Sequence, residues 1–342
     1  MLFNSEKLNK FIWLGDPHVK KTNIEESYRL LKWVDEQAYS HRLPVVMAGD
    51  QYNDFGIARV EAVQFWNNML SEMKSPVIAL LGNHDANPDM SMNFMDIHSK
   101  QAMVVSSPIN LKTEAGQVTL LPFYRSNEDF IEAMKLAASV GSNRIICHQE
   151  FNGCKYENGF YSPHGVDPAN IPTEIELIVS GHIHKEQYLD KLWYPGTARH
   201  LTKSDAGENK GIFLIDISEK TIGKIPTPKE VCEPFTVTDI KEGDDSFDFS
   251  TINPERSYIN LTGSSEFIKK ALKSIPDGVK VKTVPTNNMV ESNIKESEGI
   301  PTAFINYVMD YANKNGLGNK EVKVILDKIY EKCPLLKSGE NV

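Results

Sequence analysis

Five short segments bring together side chains that bind metals and move protons: Gly15-Asp16-Pro17-His18, Gly49-Asp50, Gly82-Asn83-His84-Asp85, Cys147-His148-Gln149-Glu150 and Gly181-His182-Ile183-His184. In extended backbone, residues i and i+2 point the same way, so Asp16 with His18, and His182 with His184, can each project toward one site. Carboxylate oxygen, amide oxygen and imidazole nitrogen together suit Mn, Fe or Zn, and no motif position requires a thiolate. One carboxylate reached by two ions roughly 3.5–4 Å apart would make a clamp for in-line attack on phosphorus. Any one of these segments alone is weak, because an Asp-x-His match is common by chance and a lone histidine is more often structural. Together they are specific: five of the nine histidines fall inside them, each just beyond a predicted strand.

The elements that must position these residues alternate in type. Lys10–Leu14, Leu43–Ala48 and Val77–Leu81 read as buried strands, each ending at a glycine. Between them, Ile24–Ser40 and Ile57–Met73 carry apolar residues at helical spacing. Strand–helix–strand–helix–strand predicts a parallel α/β core, because parallel strands need a crossover. Further strands are predicted at Val118–Phe123, Arg144–Cys147, Glu176–Val179, Gln187–Tyr194 and Gly211–Ile217. The close spacing of the last pairs implies some antiparallel pairing, hence a mixed sheet or a two-sheet sandwich. Ligands in open α/β sheets bind beyond the carboxyl ends of strands, where all five segments lie.

After about Pro226 the pattern changes. Tyr258–Leu261, Ser264–Ser274 and Val279–Val284 read as a small strand–helix–strand unit, followed by a polar stretch without periodicity and then two amphipathic helices. The predicted organisation is a catalytic domain over 1–230, a small α+β cap over 231–285, a linker over 286–299 and a helical hairpin over 300–342. The hairpin presents Phe304, Val308 and Tyr311 on its first helix and Val322, Ile325 and Ile329 on its second. Short helices are marginal in water by themselves, so these faces must dock on something.

The formal net charge of −9 argues against a generally basic nucleic-acid binder, although bound divalent ions and local Lys/Arg clusters can reverse the sign at a site. Cys147, Cys154, Cys232 and Cys333 have spacings of neither a zinc knuckle nor a disulfide framework, and reduced thiols are expected. Neither an apolar leader nor a membrane-length apolar run is evident, so a soluble, cytoplasmic protein is expected, in host cytoplasm if phage-encoded.

The order DxH, GD, GNHD, H, GHxH over Gly15–His184 resembles the calcineurin-like metallophosphoesterases. That resemblance implies an α/β fold built as a mixed-sheet β-sandwich flanked by helices, holding two divalent metal ions, Mn²⁺ foremost and Mg²⁺ as the alternative. It places Asp16, His18, Asp50 and His184 on one ion, and Asp50 as a bridge to a second that also takes Asn83, His148 and His182. It makes His84 the acid or transition-state stabiliser, with Asp85 positioning its ring. Within the superfamily, His148-Gln149, the segment Gly181–Thr197 (GHIHKEQYLDKLWYPGT) and Glu208–Asp216 resemble the SbcD-type nucleases, most nearly phage recombination endonuclease subunits. The expected activity is then 3′-to-5′ duplex exonuclease and single-strand endonuclease cleavage of DNA by a metal-bridging hydroxide. The expected partners are DNA, a second copy of the chain and an SbcC-type ABC ATPase with coiled coils, gripped by the C-terminal helices. The first two motifs depart from the usual DxHLG and GDLFD, reading Asp16-Pro17-His18-Val19-Lys20 and Gly49-Asp50-Gln51-Tyr52-Asn53-Asp54, which removes no ligand.

Lys20, Lys21, Arg199 and Lys203 are the candidate contacts to a DNA backbone. His98 and His164 are expected on the surface, and Cys147 and Trp193 in the core. Two other functions compete: a phosphatase or cyclic-nucleotide phosphodiesterase on the same fold, since fold does not fix substrate, and a non-catalytic scaffold for an ATPase.

Overall fold

The computed structural model describes residues 8–114, 116–244, 249 and 252–286. The proposed partner-binding helices, with Phe304, Val308, Tyr311, Val322, Ile325 and Ile329, and residues 287–299 of the linker lie outside the described residues. In chain order the strands are β1 (Lys10–Leu14), β2 (Val45–Met47), β3 (Val77–Leu80), β4 (Met103–Val105), β5 (Ile109–Thr113), β6 (Gly116–Leu121), β7 (Ser142–Cys147), β8 (Leu177–Ser180), β9 (Gln187–Leu189), β10 (Leu192–Tyr194), β11 (Gly211–Asp216), β12 (Thr221–Pro226), β13 (Thr236–Lys241), β14 (Ser257–Gly263) and β15 (Lys280–Pro285). The helices are α1 (Ile24–His41), α2 (Val60–Glu72), α3 (Asn127–Ser139) and α4 (Ser265–Leu272).

Two six-stranded sheets carry the architecture, in the orders β12-β11-β1-β2-β3-β4 and β5-β6-β7-β8-β10-β9. Both are mixed. β1 through β4 run parallel, and β11 joins β1 antiparallel. β6, β7, β8 and β10 run parallel, with β5 and β9 antiparallel at the edges.

The two-residue alternation of strands sorts the core into layers. From β1, Phe11 and Trp13 face the second sheet, where they pack with Val46, Ile78 and Leu80 against Val118, Leu120, Ile146 and Val179. Ile12 and Leu14 of the same strand face the other way, onto Leu30, Leu31 and Val34 of α1 and Trp66 and Met69 of α2. The outer face of the second sheet is covered by Phe130 and Met134 of α3, packed on Ile145, Cys147 and Ile178. The layers are thus helices, sheet, sheet, helix, the sandwich flanked by helices that the family pattern implied.

Local signals account for the ends of the helices. Arg42 closes α1 in the left-handed region at φ 57°, its N–H reaching the Ala38 and Tyr39 carbonyls. Ser126 opens α3 by accepting from the Asp129 N–H. The strand predicted as one run over Gln187–Tyr194 is instead a hairpin, β9 and β10, turned at Asp190 with φ 53°.

The chain divides into two compact units, Met1–Thr238 with Ile252–Ile259 and Asp277–Lys280, and Asp239–Thr251 with Asn260–Pro276 and Val281–Val342. β13, β14 and β15 form a three-stranded sheet. In the second unit, Ile240, Leu261, Ile268 and Ala271 are buried, and Ser264 caps α4 by accepting from the Phe267 N–H.

Candidate metal centre

Every metal-ligand candidate sits one to four residues beyond the carboxyl end of a parallel strand: Asp16 and His18 after β1, Asp50 after β2, Asn83 after β3, His148 after β7, His182 and His184 after β8. Because β1, β2 and β3 are neighbours in one sheet, and β7 and β8 in the other, their ends meet on one rim of the sandwich. Main-chain bonds stitch the loops together there: His18 N–H to the Asp50 carbonyl at 2.9 Å, Val19 N–H to that of Gln51 at 2.9 Å, and Gly181 N–H to that of Cys147 at 3.0 Å.

Asp16, His18, Asp50 and His182 all have positive φ, from 40° to 76°. The sharp turns this allows point their side chains back over the strand ends. Two glycines make room for them. A Cβ on Gly49, itself at φ +101°, would lie 2.2 Å from His148 Nδ1, and one on Gly82 would lie 2.2 Å from the Asp50 main-chain nitrogen and carboxylate.

The ligand atoms converge in overlapping groups: Asp16, His18 and His184; His18, Asp50 and His84; Asp50, His148 and His182. Asp50 belongs to two of them. Its Oδ2 lies 3.6 Å from His18 Nε2 and its Oδ1 lies 3.5 Å from His148 Nε2, so each carboxylate oxygen faces a different cluster. His18 Nε2 and His184 Nε2 stand 3.2 Å apart. Asn83 Oδ1 is 2.9 Å from His182 Nδ1 and 3.2 Å from His148 Nε2.

These residues fit divalent cations. Asp16 Oδ2 is buried with no hydrogen-bond partner, an arrangement that costs free energy unless a positive charge answers it. Asn83 Oδ1, His182 Nδ1 and His148 Nε2 lie 2.9–3.3 Å from one another, a compact oxygen and nitrogen donor set that a cation could occupy. Ligand bonds of roughly 2.0–2.1 Å put neighbouring donor atoms about 3.0–3.4 Å apart, matching the 2.9–3.3 Å separations among Asn83, His148 and His182.

Electrostatics follow the same layout. Burial pushes the Asp50 carboxyl up, but His148, His18 and His84 outweigh it and hold the group far below the usual carboxylate range. Burial pulls His148 down, while Asp50, Asp16 and the Ala48 carbonyl lift it to about 9. His148 Nδ1 donates to that carbonyl at 2.6 Å, which leaves Nε2 to face the metals. Burial also drives His18 well below its ordinary value, so its ring is neutral and free to ligate.

His84 completes the group with His18 and Asp50, edge-on to His18 with ring centroids 4.9 Å apart. Its Nδ1 donates to the Asn53 carbonyl at 2.6 Å. The resemblance gave the positioning of this ring to Asp85. The structure gives it to Asn53, because the Asp85 carboxylate is occupied by the N–H groups of Tyr52 and Gly82, both at 2.9 Å. Asp85 shapes the two loops instead.

Arg199 is likewise corrected as a DNA contact. It is 2% exposed, and its guanidinium binds Glu26, Ser27 and the Pro17 and His18 carbonyls, which leaves no outward face for a phosphate. It braces the Asp16–His18 turn from behind. Lys20, Lys21 and Lys203 do reach the surface, Lys21 pairing with Glu61 at 3.2 Å and Lys203 lying over the Tyr258 ring. His98, expected outside, is buried against the Tyr52 hydroxyl at 3.0 Å. His164 is exposed as expected.

Several neighbours of the site carried no role in the sequence reading. Glu150 Oε2 lies 3.3 Å from His182 Nε2, and Glu157 Oε1 lies 3.3 Å from His184 Nδ1. Phe123 stacks on His182, and the half-exposed Phe55 meets His84 edge-on. Glu150 stands two residues after His148, a spacing that in extended chain puts both side chains on one side. Glu157 lies in irregular chain where no periodicity assigns a direction.

The sequence of residues 10–186 matches the model of the calcineurin-like phosphoesterase family. The chain belongs to that family. It is therefore a metallophosphoesterase, a class that works with divalent metal ions. The phosphoesterase is 27% identical over 284 residues to "Putative phosphoesterase 244L" of Invertebrate iridescent virus 6, a match covering 78% of this chain and 98% of that protein. It is 28% identical over 216 residues to "Putative phosphoesterase 078R" of Invertebrate iridescent virus 3, covering 58% of this chain and 60% of that protein. A solved structure described as "Structural and Functional Characterization of a Novel Archaeal Phosphodiesterase" aligns with a TM-score of 0.34 at 12% identity, over 64% of this chain and 99% of that one. Among the described residues of the phosphoesterase, no helix is long and apolar enough to cross a membrane.

Proposed function

We propose that this phosphoesterase is a DNA nuclease, the nuclease subunit of an SbcCD-type double-strand-break repair and recombination complex, dependent on two divalent ions of which Mn²⁺ is the favoured identity. The observation that carries a two-metal reading is the Asp50 carboxylate, with one oxygen toward His18 and the other toward His148. When bound, two such ions would supply Lewis-acid charge neutralisation at phosphorus and acidify water between them. His18, Asp16 and His184 would hold one ion, Asn83, His148 and His182 the other, and Asp50 both. His84 is held by the Asn53 carbonyl so that Nε2 is left to give a proton to the leaving oxygen. The step from phosphoester to DNA rests on the resemblance of Gly181–Thr197 and His148-Gln149 to the SbcD-type nucleases. A coiled-coil ABC ATPase bound through 300–342, and a homodimer, belong to the same reading.

A second reading is a phosphatase or cyclic-nucleotide phosphodiesterase on the same fold, since fold does not fix substrate and a net charge of −9 gives no general attraction for a polyanion. Incubating the purified chain with Mn²⁺ and linear duplex DNA, single-stranded circles, a cyclic nucleotide and a nitrophenyl phosphomonoester separates the two. DNA cleavage that needs Mn²⁺ and is lost in Asp50→Ala is the expected result. Turnover of the small esters alone would replace the nuclease reading with the second one, and turnover of nothing, with full metal loading, would leave a scaffold.

A further inference from the structure

The two histidines of Gly181-His182-Ile183-His184 use different ring nitrogens toward the metal centre. His182 turns Nδ1 inward, to Asn83 Oδ1 at 2.9 Å, and His184 turns Nε2 inward, to His18 Nε2 at 3.2 Å. Each therefore has one nitrogen left over, on the side away from the clusters. A glutamate stands at each: Glu150 Oε2 is hydrogen-bonded to His182 Nε2 at 3.3 Å, and Glu157 Oε1 faces His184 Nδ1 at 3.3 Å as an ion-pair contact.

Both glutamates come from one loop, the segment that follows His148 after β7. Its fold is tight. Lys155 and Tyr161 bridge antiparallel, the Gly153 N–H reaches the Ser162 carbonyl at 3.1 Å, and the Ser162 N–H reaches that of Cys154 at 2.8 Å. It is fastened to β9 by Gln187, which accepts from the Lys155 N–H at 2.7 Å and donates to the Lys155 carbonyl at 2.8 Å. Tyr194 fastens it again by accepting from the Phe151 N–H at 3.0 Å.

From this geometry we infer that Glu150 and Glu157 are paired positioning residues, one for each metal position, each fixing the tautomer and the ring plane of one ligand histidine. A carboxylate on the outer nitrogen holds that nitrogen as N–H, so the inner nitrogen presents a lone pair. It also raises the ligand's basicity. His182 belongs to the group with Asp50 and His148, and His184 to the group with Asp16 and His18, so the two glutamates act on different ions.

The pair is not symmetric. Glu150 also accepts from the hydroxyls of Tyr156 and Ser162, which lock its carboxylate in place. Glu157 is held by the histidine contact without a comparable lock among the described contacts. The position served by Glu150 is accordingly the tighter one, and the position served by Glu157 exchanges its ion more readily.

This inference rests on the two-metal reading of the site, and its test does not use DNA. Free Mn²⁺, followed by its electron paramagnetic resonance signal, is titrated into the full-length wild-type chain and into Glu150→Gln and Glu157→Gln. Glutamine keeps an acceptor oxygen and nearly the same volume, and circular dichroism and melting temperature check the fold. Wild type is expected to take two ions with unequal affinity. Glu157→Gln should weaken the looser step by about 10–100-fold and leave the tighter one alone, and Glu150→Gln should do the reverse. Aspartate, which restores the charge, should recover part of each loss. Unchanged affinities in both folded glutamine variants would overturn the inference. So would loss of a whole equivalent at saturating Mn²⁺, which would make the glutamate a direct ligand. A wild-type chain that binds two ions but cuts no DNA would refute the nuclease reading and leave this one standing.

Discussion

Nδ1 of His84 is committed to the Asn53 carbonyl, so Nε2 alone can exchange a proton with a substrate. His84→Ala should therefore keep both metal ions and lose activity by about 10²–10⁴-fold, the usual worth of a general acid. Metal content measured beside the rate decides this, since a parallel fall in both would make His84 a ligand. His148 gives a second expectation. Its metal-free value of about 9 lies above the ordinary 6.5, so the proton it holds stabilises the metal-free fold fully below pH 6.5, and that contribution fades as pH rises through 9. A metal must displace the same proton from Nε2. Mn²⁺ affinity should then climb about tenfold per pH unit between pH 6.5 and 8, with proton release visible as a dependence of the calorimetric heat on buffer. A flat profile would show that His148 does not ligate.

Residue identity and spacing made the ligand set legible from sequence, because imidazoles and carboxylates placed two apart beyond a strand have few other uses. Main-chain acceptors are not legible that way. The Asn53 carbonyl would serve with any side chain at that position, and nothing in the type of residue announces it. Arg199 failed for a related reason: a basic residue after a turn reads as surface until its neighbours Glu26 and Ser27, more than 170 positions away, are placed around it.

The elements were visible wherever burial imposes a pattern. β1, β2 and β3 are apolar on both faces because one face meets the other sheet and one meets α1 and α2. β12, by contrast, alternates weakly and lies at a sheet edge, and β4 is a three-residue edge strand, so neither leaves a clear trace. Since the site hangs from strand ends, packing errors should reach it. Ile78 on β3 is fully buried between the sheets. Ile78→Ala should cost about 2–5 kcal/mol of stability, read by denaturant unfolding. A loss under 1 kcal/mol would mean that the sheets slide to close the gap.

For the molecule as a whole the main tension is charge. An overall −9 repels a polyanion, so a DNA substrate must be held by the metal ions and by local cations. Reversing Lys20, Lys21 and Lys203 together should weaken DNA binding and flatten its dependence on salt, because fewer counterions are exchanged. Dissociation constants measured across a salt series would show it. Identical slopes for wild type and variant would move the DNA to another face. Arg199 does not belong with these lysines: reversing a buried guanidinium that pairs with Glu26 would cost stability, about 3–5 kcal/mol, and test no phosphate contact.

The four left-handed turns at Asp16, His18, Asp50 and His182 also bear on how this chain can change over generations. A residue with a Cβ held in that region is strained by up to about 1–3 kcal/mol, and glycine, which has none, would relax it. Selection for stability and selection for catalysis therefore pull in opposite directions at these four positions. In a mutant library sorted for heat resistance without metal, they should drift toward glycine ahead of the buried apolar residues around them. Sorting the same library for phosphoester hydrolysis should hold all four fixed, and deep sequencing of the two pools would show the contrast.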